Sequence, residues 1–264
     1  TIGRLDYSFR KREFHLIRNI LDFIYFIDVY QSIEEARRIH NFCLPEFISP
    51  SNLYKVEKLY HPLIQNPVKN DLEFSENQRI CFLTGPNMAG KSTLLKSISI
   101  SVYLAHIGFP VPAKKLSISL FQGLFTTINL FDNIKAGYSH FYSEVLRVKF
   151  VAEQINKNGN IFVLFDELFR GTNVKDAYEA SLAVILSFAK INRGLFAIST
   201  HIIEIAEKLK KNSSIFFRYF EANLVSGIPC YNYILKNGVT EERIGMYILE
   251  KERIIEIIEN KIEK

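Results

Sequence analysis

The run GPNMAGKS, Gly85 to Ser92, constrains this chain more than any other. It fits G-x-x-x-x-G-K-[ST], a pattern whose physical content is a loop that turns backbone N–H groups inward around a phosphate and then enters a helix. The flanks agree with it. Arg79 to Thr84 reads as an apolar strand, and Ser92 to about Ile107 carries apolar residues at helical spacing. Gly85 and Gly90 supply backbone freedom, with Pro86, Asn87, Met88 and Ala89 between them. Lys91 is expected to reach the β- and γ-phosphates of a nucleotide, the Ser92 hydroxyl to ligate Mg²⁺, and Thr93 to stand beside it in the first helical turn.

A phosphate loop of this type works with an acidic residue at the end of a neighbouring buried strand. IFVLFDE provides one: Ile161 to Phe165 reads as strand, and Asp166 and Glu167 follow it. Asp166 is expected to support Mg²⁺ through water, and Glu167 to orient and polarise an attacking water as general base. A helix from about Lys175 to Lys190 comes next, then the strand Leu195 to Thr200, His201, and a helix to about Lys211. Strands and helices alternating in this way predict a mostly parallel sheet covered on both faces. His201 would then emerge at the same sheet edge as the other two motifs, where it could contact the γ-phosphate.

The remaining chain divides around this core. Apolar residues at helical spacing from about Asp6 to Asn41, including Phe14, Ile17, Leu21, Ile24 and Tyr25, predict one or two helices; Pro45, Pro50 and Pro62 then break the pattern. The expected organisation is a helical segment over 1–45, an α/β domain over 46–240, and a charged amphipathic helix over 241–264 that could pair with a partner or cap the domain. IFFRYFEANL and YNYILKNGV are expected to pair antiparallel at the sheet's edge. The fold class is therefore α/β, a P-loop NTPase with a mostly parallel sheet, flanking helices and an N-terminal helical segment. The start at Thr1 suggests a piece of something longer.

Composition narrows the setting. Among 264 residues, 48% are hydrophobic, which suffices for a large core; the three cysteines have no metal-binding spacing, and the most apolar stretch, Ile17 to Tyr30, is interrupted by Arg18, Asp22 and Asp28. A reducing, cytoplasmic compartment without membrane insertion is expected. The net charge of +5 mixes 33 basic with 28 acidic residues, and the basic run Arg10 to Arg18 reads as a solvated face before it reads as a DNA contact.

TGPNMAGKSTLLKSI, DELFRGTNVKDAYEAS and STHIIEIAEKL, in that order, resemble the MutS family, whose ATPase reads GPNMxGKST, DExxRGT and THxxEL. FTTINLFDNIKAGYSHFYSEV resembles that family's segment ending in G-x-S-x-F-x-x-E, here Gly137, Ser139, Phe141 and Glu144. IDVYQSIEEARRIHNFCLPEFI and Tyr60-His61-Pro62 resemble the lever-helix end and the entry to the ATPase, and YILKNGVTEERIG the closing strand. Two departures, Ala89 in the loop and DELFRGTN after the second strand, suggest a divergent branch. The resemblance implies the ABC-type ATPase-like form of the P-loop fold; ATP as the nucleotide, with Mg²⁺; a homodimer in which Ser139 completes the partner's ATP site; the Arg170 to Asn173 loop and Asn87 near the dimer seam; a base packed near His61; and DNA, mismatched or structured, engaged through domains absent from this chain. Its functional expectation is an ATP-hydrolysing domain of a DNA mismatch or DNA-structure sensor. Two other classes fit a phosphate loop: a phosphotransferase acting on a small molecule or nucleotide, and a nucleotide-gated dimerisation module that hardly turns over. A transporter ATPase subunit is disfavoured, because SHFYSE stands where an LSGGQ-type signature would be.

Overall fold

The computed structural model describes residues 3, 7–49, 52–128, 140–225, 228–240 and 253–259. Three strands form its centre: β4 (Ile80–Thr84), β7 (Ile161–Phe165) and β8 (Leu195–Ser199), every residue of each buried. Continuous burial is the mark of strands covered on both faces, which is why these segments read as unbroken apolar runs. Around them a six-stranded sheet assembles in the order β10-β9-β4-β8-β7-β6, completed by β6 (Gly123–Thr127), β9 (Ile215–Val225) and β10 (Ile228–Asn237). All neighbours run parallel except β10, which returns antiparallel along β9 at the edge. The architecture is the α/β sheet with flanking helices that the alternating pattern predicts.

Each central strand sends alternate side chains to opposite faces, as a period of two requires. Cys81, Leu83, Phe162, Leu164, Leu195 and Ala197 join one core, and Ile80, Phe82, Val163, Phe165, Phe196 and Ile198 the other. The second face is covered by α3 (His140–Asn158), α4 (Val174–Ala189) and α5 (Glu204–Leu209) through Val151, Ile185, Phe188 and Ile205.

The first face is covered by α2 (Lys91–His106) and by an element that helical and strand periodicity does not reveal. This is a second, four-stranded sheet in the order β1-β5-β2-β3, from β1 (Glu46–Phe47), β2 (Tyr54–Leu59), β3 (Asn70–Phe74) and β5 (Lys115–Ile118). Its inner side chains Tyr54 and Phe74 meet Phe162 of the main sheet, with ring centroids 5.4 Å apart for each pair and edge-to-face tilts. Phe74 also packs 5.0 Å from Phe216. Such edge-to-face contacts add to the area the rings bury, so the two sheets are joined by an aromatic seam.

N-terminal to the sheets, one π-helical turn at Ser8–Arg12 precedes α1 (Phe14–His40), a 27-residue helix with no buried residue. It stops at Asn41, whose φ of 55° places it in the left-handed region and lets Phe42 N–H donate to Arg37 O. The Tyr60 hydroxyl donates to His40 O at 2.6 Å, tying the helix end to the segment after β2. No helix among the described residues is long and apolar enough to cross a membrane. Of the terminal helix expected over 241–264, α6 (Ile254–Glu259) is described and the rest lies outside the described residues.

Candidate nucleotide site

Because β4, β7 and β8 are parallel and adjacent in the order β4-β8-β7, the segments that follow them leave one sheet edge together. Gly85 to Gly90 follow β4, Asp166 and Glu167 follow β7, and Thr200 and His201 follow β8. The loop after β4 needs glycine at its first turn. Gly85 has φ 145°, and a Cβ there would sit 2.9 Å from Phe220 O. Gly90, at φ 108°, is the residue before α2, and no side chain caps that helix's first amides. Those orphan N–H groups and the helix dipole make the first turn an anion-seeking end.

Lys91 is 5% exposed, and its Nζ donates to Gly85 O at 2.8 Å and Pro86 O at 3.1 Å. Burial pushes its pKa down, opposed by the carboxylates of Glu167 and Asp166. Desolvation of an ammonium is costly, and the two loop carbonyls offset it. Ala89 is buried in the core cluster, while Met88 is 82% exposed at φ 66°.

At the end of β7 the Ser199 hydroxyl donates to Asp166 Oδ1 at 2.6 Å and accepts the Glu167 amide at 3.0 Å. Glu167 and Phe169 adopt φ of 53° and 61°. Each left-handed non-glycine residue costs about 1–2 kcal/mol, so the surroundings must hold this turn; buried Leu168 and Phe169 anchor it from below. Phe169 packs 5.5 Å from Phe141 in the first turn of α3. Glu167 Oε2 pairs with Arg170 Nη1 at 3.1 Å. Asn173 then caps α4 by accepting from Asp176 N at 2.9 Å.

These elements wall a cavity of about 690 Å³, a size suited to a nucleotide. Gly90, Lys91, Ser92, Thr93, Asn87 and Met88 form its floor, and Glu167 with Arg170 one flank. His61 and Val68, from the connection between β2 and β3, form another. Burial lowers the His61 imidazole pKa, with Lys96 adding to the shift. The fourth wall is Phe220 of β9 and Tyr233 of β10.

The expected site residues therefore fall into groups. Lys91, Ser92, Thr93 and Glu167 share the cavity; Gly85 and Pro86 hold Lys91; Asp166 sits behind it, hydrogen-bonded to Ser199. His201 is exposed at the same sheet edge and is not among the cavity's lining residues. Ser139 and Gly137 lie outside the described residues.

Ser199 and Tyr233 open the segments STHIIEIAEKL and YILKNGVTEERIG, yet sequence reading gives neither a role, and Asn70 lies in no motif. Ser199 had a faint signal: a polar residue ending an apolar strand. Asn70 and Tyr233 are 163 residues apart and meet only because β3 and β10 belong to sheets that abut.

The family model described as MutS domain V matches residues 81–263, which take in the loop after β4, the acidic pair and His201. The chain belongs to the MutS family. Among its relatives, the DNA mismatch repair protein MutS of Petrotoga mobilis is 34% identical over 183 residues, 68% of this chain and 22% of that protein. The DNA mismatch repair protein MutS of Desulfovibrio desulfuricans is 29% identical over 242 residues, 88% of this chain and 26% of the relative. The mouse MutS protein homolog 4 is 28% identical over 240 residues, 87% and 24% respectively. This MutS-family chain thus spans about a quarter of the length of the curated relatives it matches.

Proposed function

We propose that this chain is the ATP-binding and ATP-hydrolysing domain of a MutS-like sensor of mismatched or otherwise structured DNA, acting in a cytoplasmic setting. The observation that carries the reading is the convergence of Lys91, Ser92 and Glu167 on one cavity at the carboxyl edge of three parallel strands.

In this reading the triphosphate lies along the first turn of α2, where the Gly90 to Thr93 amides and the Lys91 ammonium face it. Lys91 exchanges the Gly85 and Pro86 carbonyls for phosphate oxygens, an exchange favoured because a buried cation gains a full counter-charge. Ser92 and Asp166 would hold Mg²⁺, which neutralises charge on the phosphates; their oxygens are the hard donors that ion takes. Glu167, turned into the cavity by the left-handed turn and the Ser199 hydrogen bond, accepts a proton from the attacking water. His201 senses the γ-phosphate from the end of β8. The base end lies towards His61, Val68 and Tyr233.

Ser139 of a second copy completes the site in trans, and closure of the dimer is passed through α1 to DNA held by other parts of the protein. Asn87 and the exposed Met88, which line the cavity, form the dimer seam with the Arg170 to Asn173 loop.

The test is nucleotide binding. Lys91→Ala should weaken ATP by about 100-fold or more, the cost of leaving the triphosphate without its buried cation. Unchanged ATP affinity in that variant would remove the site assignment.

A further inference from the structure

Strand β10 does not run regularly along β9. Its pairing passes from Tyr231 opposite Ala222 to Leu235 opposite Phe220, so β10 carries extra residues over this stretch. The bulge places Tyr233 at φ 55°, outside the regular ladder. Its ring lies against the phosphate loop: a Cβ on Gly90 would come within 3.4 Å of Tyr233 Cδ1. Tyr233 as a whole is 44% exposed and lines the cavity.

A bulge of this kind leaves backbone groups unpaired and re-aims one side chain. Here the carbonyl of the re-aimed residue and the amide N–H two residues further on are claimed by one side chain from the other sheet. Asn70 Nδ2 donates to Tyr233 O at 3.0 Å, and Asn70 Oδ1 accepts from Leu235 N at 2.7 Å. Within the bulge, Asn232 Oδ1 accepts from Ile234 N at 3.0 Å. Asn70 is itself anchored, because its backbone pairs with Leu59 at the start of β3, and Leu59 is buried. The amide binds β10 through both its ends, one Nδ2–H and Oδ1, which fixes its orientation at the cavity wall.

We propose that Asn70 is a positioning residue for the base end of the nucleotide: it pins the β10 bulge so that Tyr233 stands as a flat wall against which the base stacks. This rests on the reading of the cavity as an ATP site. Without the clamp, β10 can slide towards regular pairing. A shift by one residue turns a strand side chain to the opposite face, which would carry the Tyr233 ring out of the cavity. Asn70 therefore acts on the base and not on the phosphates, whose contacts come from β4 and α2.

That division yields a test with two probes: ATP, and inorganic tripolyphosphate, which has no base. In the full chain, Asn70→Leu should weaken ATP about tenfold, the scale of one lost base–aromatic stack, and leave tripolyphosphate affinity unchanged. Tyr233→Ala should do the same. If Asn70 acts through Tyr233, adding Asn70→Leu to Tyr233→Ala should cost little more, because residues in one unit are not additive. Asn70→Asp keeps the acceptor for Leu235 N–H but loses the donor to Tyr233 O, and should fall between wild type and Asn70→Leu. Unchanged tripolyphosphate binding also reports that the variants fold. The clamp is overturned if Asn70→Leu leaves ATP affinity intact, if it weakens both probes equally, or if its effect adds in full to that of Tyr233→Ala. Wild-type protein that binds neither probe would instead overturn the nucleotide reading on which the clamp depends.

Discussion

Ser199 and Asp166 are joined by a 2.6 Å hydrogen bond in which the serine hydroxyl donates to Asp166 Oδ1, while the serine Oγ accepts the amide N–H of Glu167 at 3.0 Å. One side chain at the end of β8 thus orients both acidic residues at the end of β7. Partners of this kind, one step removed from the reacting groups, are worth about 10–100-fold in activity. Ser199→Ala should lower ATP turnover by about tenfold while leaving ATP affinity near wild type, and Ser199→Thr should restore most of it. Steady-state hydrolysis alongside equilibrium ATP binding checks this; equal turnover in the alanine variant would remove Ser199 from the site.

Glu167→Gln keeps the size of the side chain and the amide hydrogen bond to Ser199 but loses the base. Turnover should fall by about 10²–10⁴-fold with ATP still bound. The trapped protein then reports on assembly. Sedimentation velocity with Mg²⁺ should show a dimer with ATP and a monomer without it; a monomer in both would count against a composite site formed by this chain alone.

Phe74 is fully buried at the aromatic seam, in contact with Tyr54, Phe162 and Phe216. Phe74→Ala should cost about 3–5 kcal/mol, from lost burial plus the cavity left between the sheets. Urea unfolding gives the value through the midpoint and slope. The small sheet also carries Asn70 and leads into His61, so the same variant should weaken ATP. Wild-type stability would show that the seam closes over the gap.

The imidazole of His61 has its pKa lowered by burial first and by Lys96 second. The folded chain therefore binds this proton less readily than the unfolded chain, whose value is near 6.5. Between the two values the unfolded state holds more protons, so stability rises with pH there and is lost as pH falls below the ordinary histidine range. His61→Gln should flatten the dependence of Tm on pH between about pH 7.5 and about pH 5. Parallel Tm profiles for the two proteins over that range would contradict it.

How far sequence reading reached depended on the range of the interactions involved. β7 was expected over Ile161–Phe165 and forms there, because five consecutive apolar residues bounded by Gly159 and an acidic pair admit few other structures. The expected bounds for β4, β8, α2 and α4 also agree within a residue or two, for the same local reason. The second sheet was not foreseen. Its strands are short, β1 pairs parallel with β5 across 71 residues, and prolines between them read as loop. Nothing within any one of those segments states which strand it will join.

By itself, then, the sequence determined the glycine-bounded loop after β4, the acidic pair, the strand–helix alternation and the membership of the MutS family, since each rests on residues that are neighbours along the chain or recur in order. Tertiary structure alone decided that Ser199 holds Asp166, that Asn70 holds the β10 bulge and that Tyr233 faces Gly90. The physical reason is that a hydrogen bond or ring contact between distant segments depends on sheet order and register. Those follow from how whole elements pack, and no short window of residues contains that information.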